Sequence, residues 1–378
     1  MIKRMDAICE KQDLFEARTD GYHVYRIPGL LVTPSGVVLA HCEARQGRGG
    51  DWDPIDIVMR RSTDGGDTWE PPFVAMDHRR FGDREPINNF SCIADYVTSE
   101  VHVLFCNNYA RVFSMKSADD GLTFSEPVEV TSVFEAFLES YPWRVIAVGP
   151  GHSIQLKNGR LLAAVWMSDG SSGEFGEKPG HRPSEVAVVY SDDHGVTWQP
   201  GDFVVRNGER FRHPNESALV QLSDGRVLCN SRSESHDHRR LVSVSDDGVS
   251  NWSEPKFDDA LLESICFGSI LATEEGVVFS NPDVLERTMP GGPGLRFGPA
   301  ETGKIFDRKQ LTVQLSLDDC QSWVTKRILE SGPAGYSDLA VLPDGSLLCL
   351  YECGMVDRMF DDRYLRLARF NLAWLCEE

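Results

Sequence analysis

No CxxC pair occurs among the ten cysteines of the chain. Zinc-ribbon and thioredoxin-type sites depend on such spacing, so both readings are weak. Most of the thiols fall inside apolar, strand-like runs such as "LLCLYEC" and "RVLCNSR". That placement predicts buried free thiols in a reducing compartment. No run approaches the roughly 18 apolar residues that a membrane-spanning helix needs. The opening stretch "MIKRMDAICEKQDLFEARTDG" has no apolar signal core, so the expectation is a cytoplasmic chain without membrane insertion. Positive charge is short as well: Lys and Arg number 38 against 58 Asp and Glu, a net charge of −20. That balance repels nucleic acid and anionic membranes. Any anionic ligand would have to be met by a local arginine cluster. Amphipathic helix periodicity is also scarce.

What the chain has instead is repetition. The stretches "STDGGDTW" from Ser62, "SADDGLTF" from Ser117, "SDDHGVTW" from Ser191, "SDDGVSNW" from Ser245 and "SLDDCQSW" from Ser316 share the pattern Ser-x-Asp-x-Gly-x-Thr-aromatic. In the fourth, Val249 stands in the glycine place, and in the fifth, Cys320. Short Asp and Ser side chains bond nearby backbone in such turns, and glycine takes positive φ. The aromatics, among them Trp69 and Trp198, read as plugs for the sheet below. An independent repeat is a hairpin turn: "TPSGVVLA", "LKNGRLLA", "LSDGRVLC", "TEEGVVFS" and "LPDGSLLC", with a degenerate "VTSEVHVLF". With the degenerate unit counted, the turns from Gly36 to Gly345 recur about every 62 residues. This period predicts an all-β fold, a six-bladed β-propeller of four-stranded antiparallel blades, as one domain over residues 1–378. Two Gly/Pro-rich stretches, "SDGSSGEFGEKPGHRPSE" and "PDVLERTMPGGPGLRFGPAETGK", read as insertions within it.

Counted from the hairpin glycines, charged and phenolic residues fall at matching offsets. Arg26 lies ten residues before Gly36, Glu216 nine before Gly225, and Tyr336 nine before Gly345. On the return strands, Glu43, Arg232 and Glu352 each lie seven residues after the glycine. The start of one hairpin strand and the end of its partner are neighbours. Three units therefore bring these groups to one common end, near the propeller axis. Singly, each has a plain structural reading: a strand-end arginine pairs with a surface carboxylate, and a tyrosine packs with its hydroxyl bonded. Jointly, they point to a site held on rigid strand ends. The Gly-rich "ARQGRGGDWDP" would project Asp51 over the same mouth. His152 reads as a satisfied core histidine.

In chain order, "YRIPGL", the Ser-x-Asp turns, "AVGPGHSIQL", "NESALVQLSDG", "AGYSDLAVLPDG" and "LYE" resemble the motifs of the exo-α-sialidases, or neuraminidases, over nearly the whole chain. The resemblance implies that Arg26, Arg232 and Arg308 clamp a sugar carboxylate. It implies Tyr336 as nucleophile, Glu216 as its base, Asp51 as acid/base and Glu352 as the support of Arg26. Arg45 and Asn89 would approach the 4-hydroxyl side of the sugar. Trp143, Trp166 and Trp52 are candidates for an apolar pocket near an N-acyl group. The implied reaction is retaining hydrolysis of terminal sialic acids from glycoconjugates, with no metal or organic cofactor. Phe90 follows Asn89 where many members have proline, and "AAVWM" replaces a tyrosine-bearing stretch. The acid sugar is therefore open between N-acylated and deaminated (Kdn) forms. A transferase and a non-catalytic sialoside-binding propeller are the rival readings. The intact Tyr336, Glu216 and Asp51 speak against the second, since binding needs only the arginines. Oligomeric state leaves no trace in the sequence.

Overall fold

The computed structural model describes residues 6–173, 178–289 and 306–377. Residues 174–177 of the first predicted insertion and 290–305 of the second lie outside the described residues. The apolar runs fold as antiparallel strands that pair in sequence order. One sheet is Val24–Val32, Val38–Arg45, Ile55–Ser62 and Phe73–Met76; the next is Ile87–Asp95, Glu100–Asn107, Arg111–Ser117 and Val128–Glu129. Val145–Val148 and Ile154–Gln155 both pair with Leu161–Ser168, followed by Ser184–Ser191 and Gln199–Val205. A further sheet holds Ser217–Gln221, Val227–Ser231, Arg239–Ser245 and Lys256–Leu262.

Among the described residues the last sheet has seven strands, so the sheets number five where six four-stranded units were expected. The cause is one long strand, Thr325–Val341. Its first part pairs with Lys309–Ser316 and its second, from Ala334, with Leu347–Cys353. The outer strand of one unit thus runs unbroken into the inner strand of the next. Tyr364–Phe370 then pairs with Cys9–Glu16, joining the two ends of the chain in one sheet.

Hydrophobic clusters link neighbouring units all the way round. Leu39 and Met59 meet Cys92 and Val103, for example, and Ile146 and Leu161 meet Ile93 and Leu104. The ring closes where Leu30 and Val38 meet Leu348 and Leu367. Each fully buried Leu or Ile in these seams contributes roughly 1.5–3 kcal/mol. The class expected from the sequence, an all-β propeller, is the one observed. All ten thiols are free and seven are buried. Among the described residues, no helix is long and apolar enough to cross a membrane.

The Ser-x-Asp turns are self-contained, as their composition suggests. In the first, Asp64 accepts from the Ser62 hydroxyl at 2.7 Å and from the Thr68 N–H at 2.9 Å, while the Gly66 N–H donates to Ser62 Oγ at 2.8 Å. Cys320 takes over the glycine role in the fifth turn, at φ 63°. The fourth turn is one residue tighter than the expected alignment. Gly248, not Val249, closes it, donating to Ser245 Oγ at 3.1 Å.

Candidate active site

Arg26 pairs across its sheet with Glu43, and Gly29 with His41, leaving Ile27 and Pro28 in a bulge. Proline cannot donate to a ladder, and a bulge is where a strand tolerates it. The same irregularity recurs between Asn88 and Ser91 and between Ala334 and Ser337. Three inner strands are thus kinked where Arg26, Asn89 and Tyr336 sit, and bulges re-aim side chains. In the third bulge, a Cβ on Gly335 would stand 2.4 Å from Glu352 Oε2. Only glycine lets that carboxylate rest on the backbone.

Tyr336 is buried at the centre of the constellation. Its hydroxyl donates to the two carboxylate oxygens of Glu216, at 2.5 and 2.6 Å, and accepts from Arg232 at 2.7 Å. Arg232 also pairs directly with Glu216. Burial pushes the phenol well above its ordinary pKa; Arg232 opposes this and Glu216 adds to it. The phenol is therefore neutral, with a carboxylate already in place to take its proton.

Two more guanidiniums flank the same ring. That of Arg308 lies 4.9 Å from the ring centre and that of Arg26 5.4 Å. Arg26 forks onto Glu352 with bonds of 3.0 and 3.1 Å. Glu352 is fully buried and also accepts the N–H groups of Ile27 and Tyr336, at 3.1 and 3.0 Å. Burial alone would raise its pKa, but Arg26 and Arg308 outweigh burial and hold the carboxyl below the usual range. Arg308 donates to the Ile265 carbonyl at 2.9 Å, yet its Nε and the Nε of Arg232 have no partner among the described residues. Buried donors of this kind suit an anionic acceptor placed among them. The three arginines expected to form the clamp, Arg26, Arg232 and Arg308, are brought together here.

Asp51 is held by Arg45. The Arg45 guanidinium is almost fully buried and binds Glu43 at 2.9 and 2.6 Å, the Gly49 carbonyl at 3.1 Å and Asp51 at 2.6 Å. Burial would raise the Asp51 carboxyl, but Arg45, His181 and Arg26 draw it well below the ordinary carboxylate range. Tyr109 carries the influence of both Asp51 and Glu216, behind the larger effect of its own burial. The Asn89 amide turns to the Val148 carbonyl at 2.9 Å. Its neighbour Asn88 approaches the Asp51 carbonyl at 3.3 Å, with its own Oδ1 buried and, among the described residues, unpartnered.

Of the three tryptophans, Trp52 and Trp166 gather around the site and Trp143 does not. Trp52 lies 5.1 Å from Tyr109 and 6.0 Å from His181, and Trp166 lies 5.3 Å from His181. Trp143 instead donates to the Phe134 carbonyl at 2.9 Å. His152 is half-buried, its ring against Asp338 at 2.8 Å. Asp338 also accepts from the Leu30 N–H and the Ser269 hydroxyl, both at 2.8 Å. Tyr109, His181, Asn88 and Asp362 were not singled out in the sequence. None of them falls on the repeated hairpin offset that marks Arg26, Glu216, Arg232, Tyr336 and Glu352, and none lies in a motif quoted for the family resemblance that supplied Asp51, Arg308, Arg45 and Asn89.

A model of the BNR repeat-like domain matches residues 36–349. A sialidase of Micromonospora viridifaciens is 30% identical over 97% of the chain, which spans 54% of that protein. The chain thus spans about half the length of this relative. Among solved structures, the Hadza microbial sialidase Hz136 aligns with a TM-score of 0.75 at 22% identity, covering 95% of this chain and 68% of that one. The Trypanosoma rangeli sialidase, solved with 2,3-difluorosialic acid as a covalent intermediate, aligns with a TM-score of 0.71 at 18% identity, covering 96% and 59%.

Proposed function

The chain belongs to the BNR repeat-like domain family, and from that premise we propose that it is a retaining exo-α-sialidase acting on terminal sialic acids of glycoconjugates. The observation that carries the reading is the buried contact of Tyr336 with Glu216 and Arg232, flanked by Arg26 and Arg308. Sialic acid bears a carboxylate on its anomeric carbon. Guanidinium donors match that group, and three of them oppose a single anion. A carboxylate nucleophile would be repelled there; a neutral phenol is not, and tyrosine nucleophiles are the sialidase exception among glycosidases.

In the first step the Tyr336 oxygen bonds to the anomeric carbon as Glu216 takes its proton, and Asp51 protonates the departing glycosidic oxygen. In the second, water attacks the same carbon with Asp51 as base, and Glu216 returns the proton to the phenolate. Two inversions give retention. Asp51 is ionised while Arg45 holds it, so it takes on its acid role only as it acquires a proton with substrate bound. Arg45 therefore acts on Asp51, and Asn88, with its free amide oxygen, joins Asn89 on the side facing the sugar hydroxyls.

A fluorogenic sialoside tests this reading, offered in N-acetylated and deaminated forms. Release of the fluorophore is expected. Binding without release would favour the non-catalytic sialoside-binding reading, and neither binding nor release would overturn both.

A further inference from the structure

We propose that Asp362 is a positioning residue of the arginine clamp, which takes up a proton when a substrate carboxylate binds. The inference rests on the sialidase reading above. Around Tyr336 stand the guanidiniums of Arg26, Arg232 and Arg308 and two carboxylates with donors on them, Glu216 and Glu352. One positive charge is left over. Asp362 is the third carboxylate of the cluster. Its Oδ2 lies 3.4 Å from Arg26 Nε, yet among the described residues that buried oxygen has no hydrogen bond. Its side chain is 11% exposed, close to the 9% of Arg26. Glu352, by contrast, is fixed by both Arg26 donors and two backbone N–H groups. Asp362 and an incoming carboxylate thus compete for one surplus charge, and Asp362 is the acid held by no hydrogen bond at that oxygen.

Asp357, Asp361 and Arg363, the charged neighbours of Asp362 on its own loop, are each held by another partner. Its neighbour Asp361 is bound by Arg18 at 2.9 Å and stands 3.6 Å from His23. Asp357 lies 3.7 Å from Arg18, and Arg363 lies 3.7 Å from Glu16. Arg358 acts on His23. From the elements packed against the loop come Arg26, Glu352, Arg308 and the Tyr336 ring. The Phe360 ring, 4.5 Å from the Arg308 guanidinium, covers the same face. Burial and the negative charge of Glu352 push the Asp362 carboxyl up to about 7, with Arg26 and Arg308 opposing. The proton exchange therefore falls in the neutral range.

Calorimetric binding of the 2,3-unsaturated analogue of sialic acid, in buffers of different ionisation enthalpy, reads the proton directly. The wild-type protein should take up about half a proton at pH 7, because such a group is half protonated before binding and fully protonated after. Above that pH its affinity should fall towards about tenfold per unit. Asp362→Asn fixes the neutral form, so its affinity should be flat over the same range and its uptake absent. A residue that merely packs the loop would lower affinity equally at every pH. Wild-type binding without proton uptake overturns the proposal and leaves the sialidase reading standing, as does uptake unchanged in Asp362→Asn. No analogue binding at any pH overturns both. If Asp362→Asn does not fold, the wild-type uptake and Asp362→Ser decide.

Discussion

Replacing Glu352 by alanine should both loosen the clamp and weaken the whole molecule. Glu352 is fully buried and takes both Arg26 donors together with the N–H groups of Ile27 and Tyr336. Its removal leaves a buried guanidinium without its main counter-charge and two backbone donors stranded. Breaking a buried ion pair from one side costs about 3–5 kcal/mol. A loss of ~4 kcal/mol, set against an unfolding entropy of roughly 2.1 cal/mol/K per residue, lowers the melting temperature of a chain this long by about 5 °C. Glu352→Gln keeps the shape and one acceptor oxygen and should lose less. Differential scanning calorimetry measures the stability change, and titration with a sialic acid analogue measures the clamp. An alanine variant that melts within about a degree of wild type and binds the analogue unchanged would refute the reasoning.

Other consequences follow from the same geometry. Tyr336→Phe removes the hydroxyl between Glu216 and Arg232; turnover should fall by a factor on the order of 10³ with little change in analogue affinity, measured as kcat and Kd. Arg45→Met frees Asp51 from the guanidinium that depresses its pKa; the basic limb of the kcat pH profile, which reports the substrate complex, should move to higher pH, and an unmoved limb would contradict the pairing. Asp362 ionises near 3.8 in the unfolded chain and at about 7 in the folded one. The folded state keeps a proton that the unfolded state has lost, so its stabilising contribution is full below the lower value and lost as pH rises through the higher. Asp362→Asn should therefore raise the melting temperature more at pH 8 than at pH 5, and equal shifts would contradict it.

The propeller was legible because its turn chemistry is local and repeated: Asp64, Asp119 and Asp193 make the same bonds in three turns. Tyr336, Glu216 and Arg232 were legible because strand ends repeat with the turns. What escaped depended on distant partners or single-residue register. The pairing of Cys9–Glu16 with Tyr364–Phe370 joins residues at opposite ends of the sequence, and no local pattern encodes it. Pro333 sits where the long strand changes partner, opposite Lys309, a junction that neither repeated turn marks. At the Asn88–Ser91 bulge, one residue of register decides which asparagine amide meets the Val148 carbonyl and which meets the Asp51 carbonyl. Asp362 lies in a loop, and its place beside Arg26 comes from the fold alone.

Incubation with 2,3-difluorosialic acid, followed by digestion and peptide mass spectrometry, tests most directly whether Tyr336 is the nucleophile. The expected result is a sugar adduct on the peptide containing Tyr336, absent from Tyr336→Phe. An adduct on Glu216 or Asp51 instead, or turnover of a fluorogenic sialoside with Tyr336 never labelled, would contradict it.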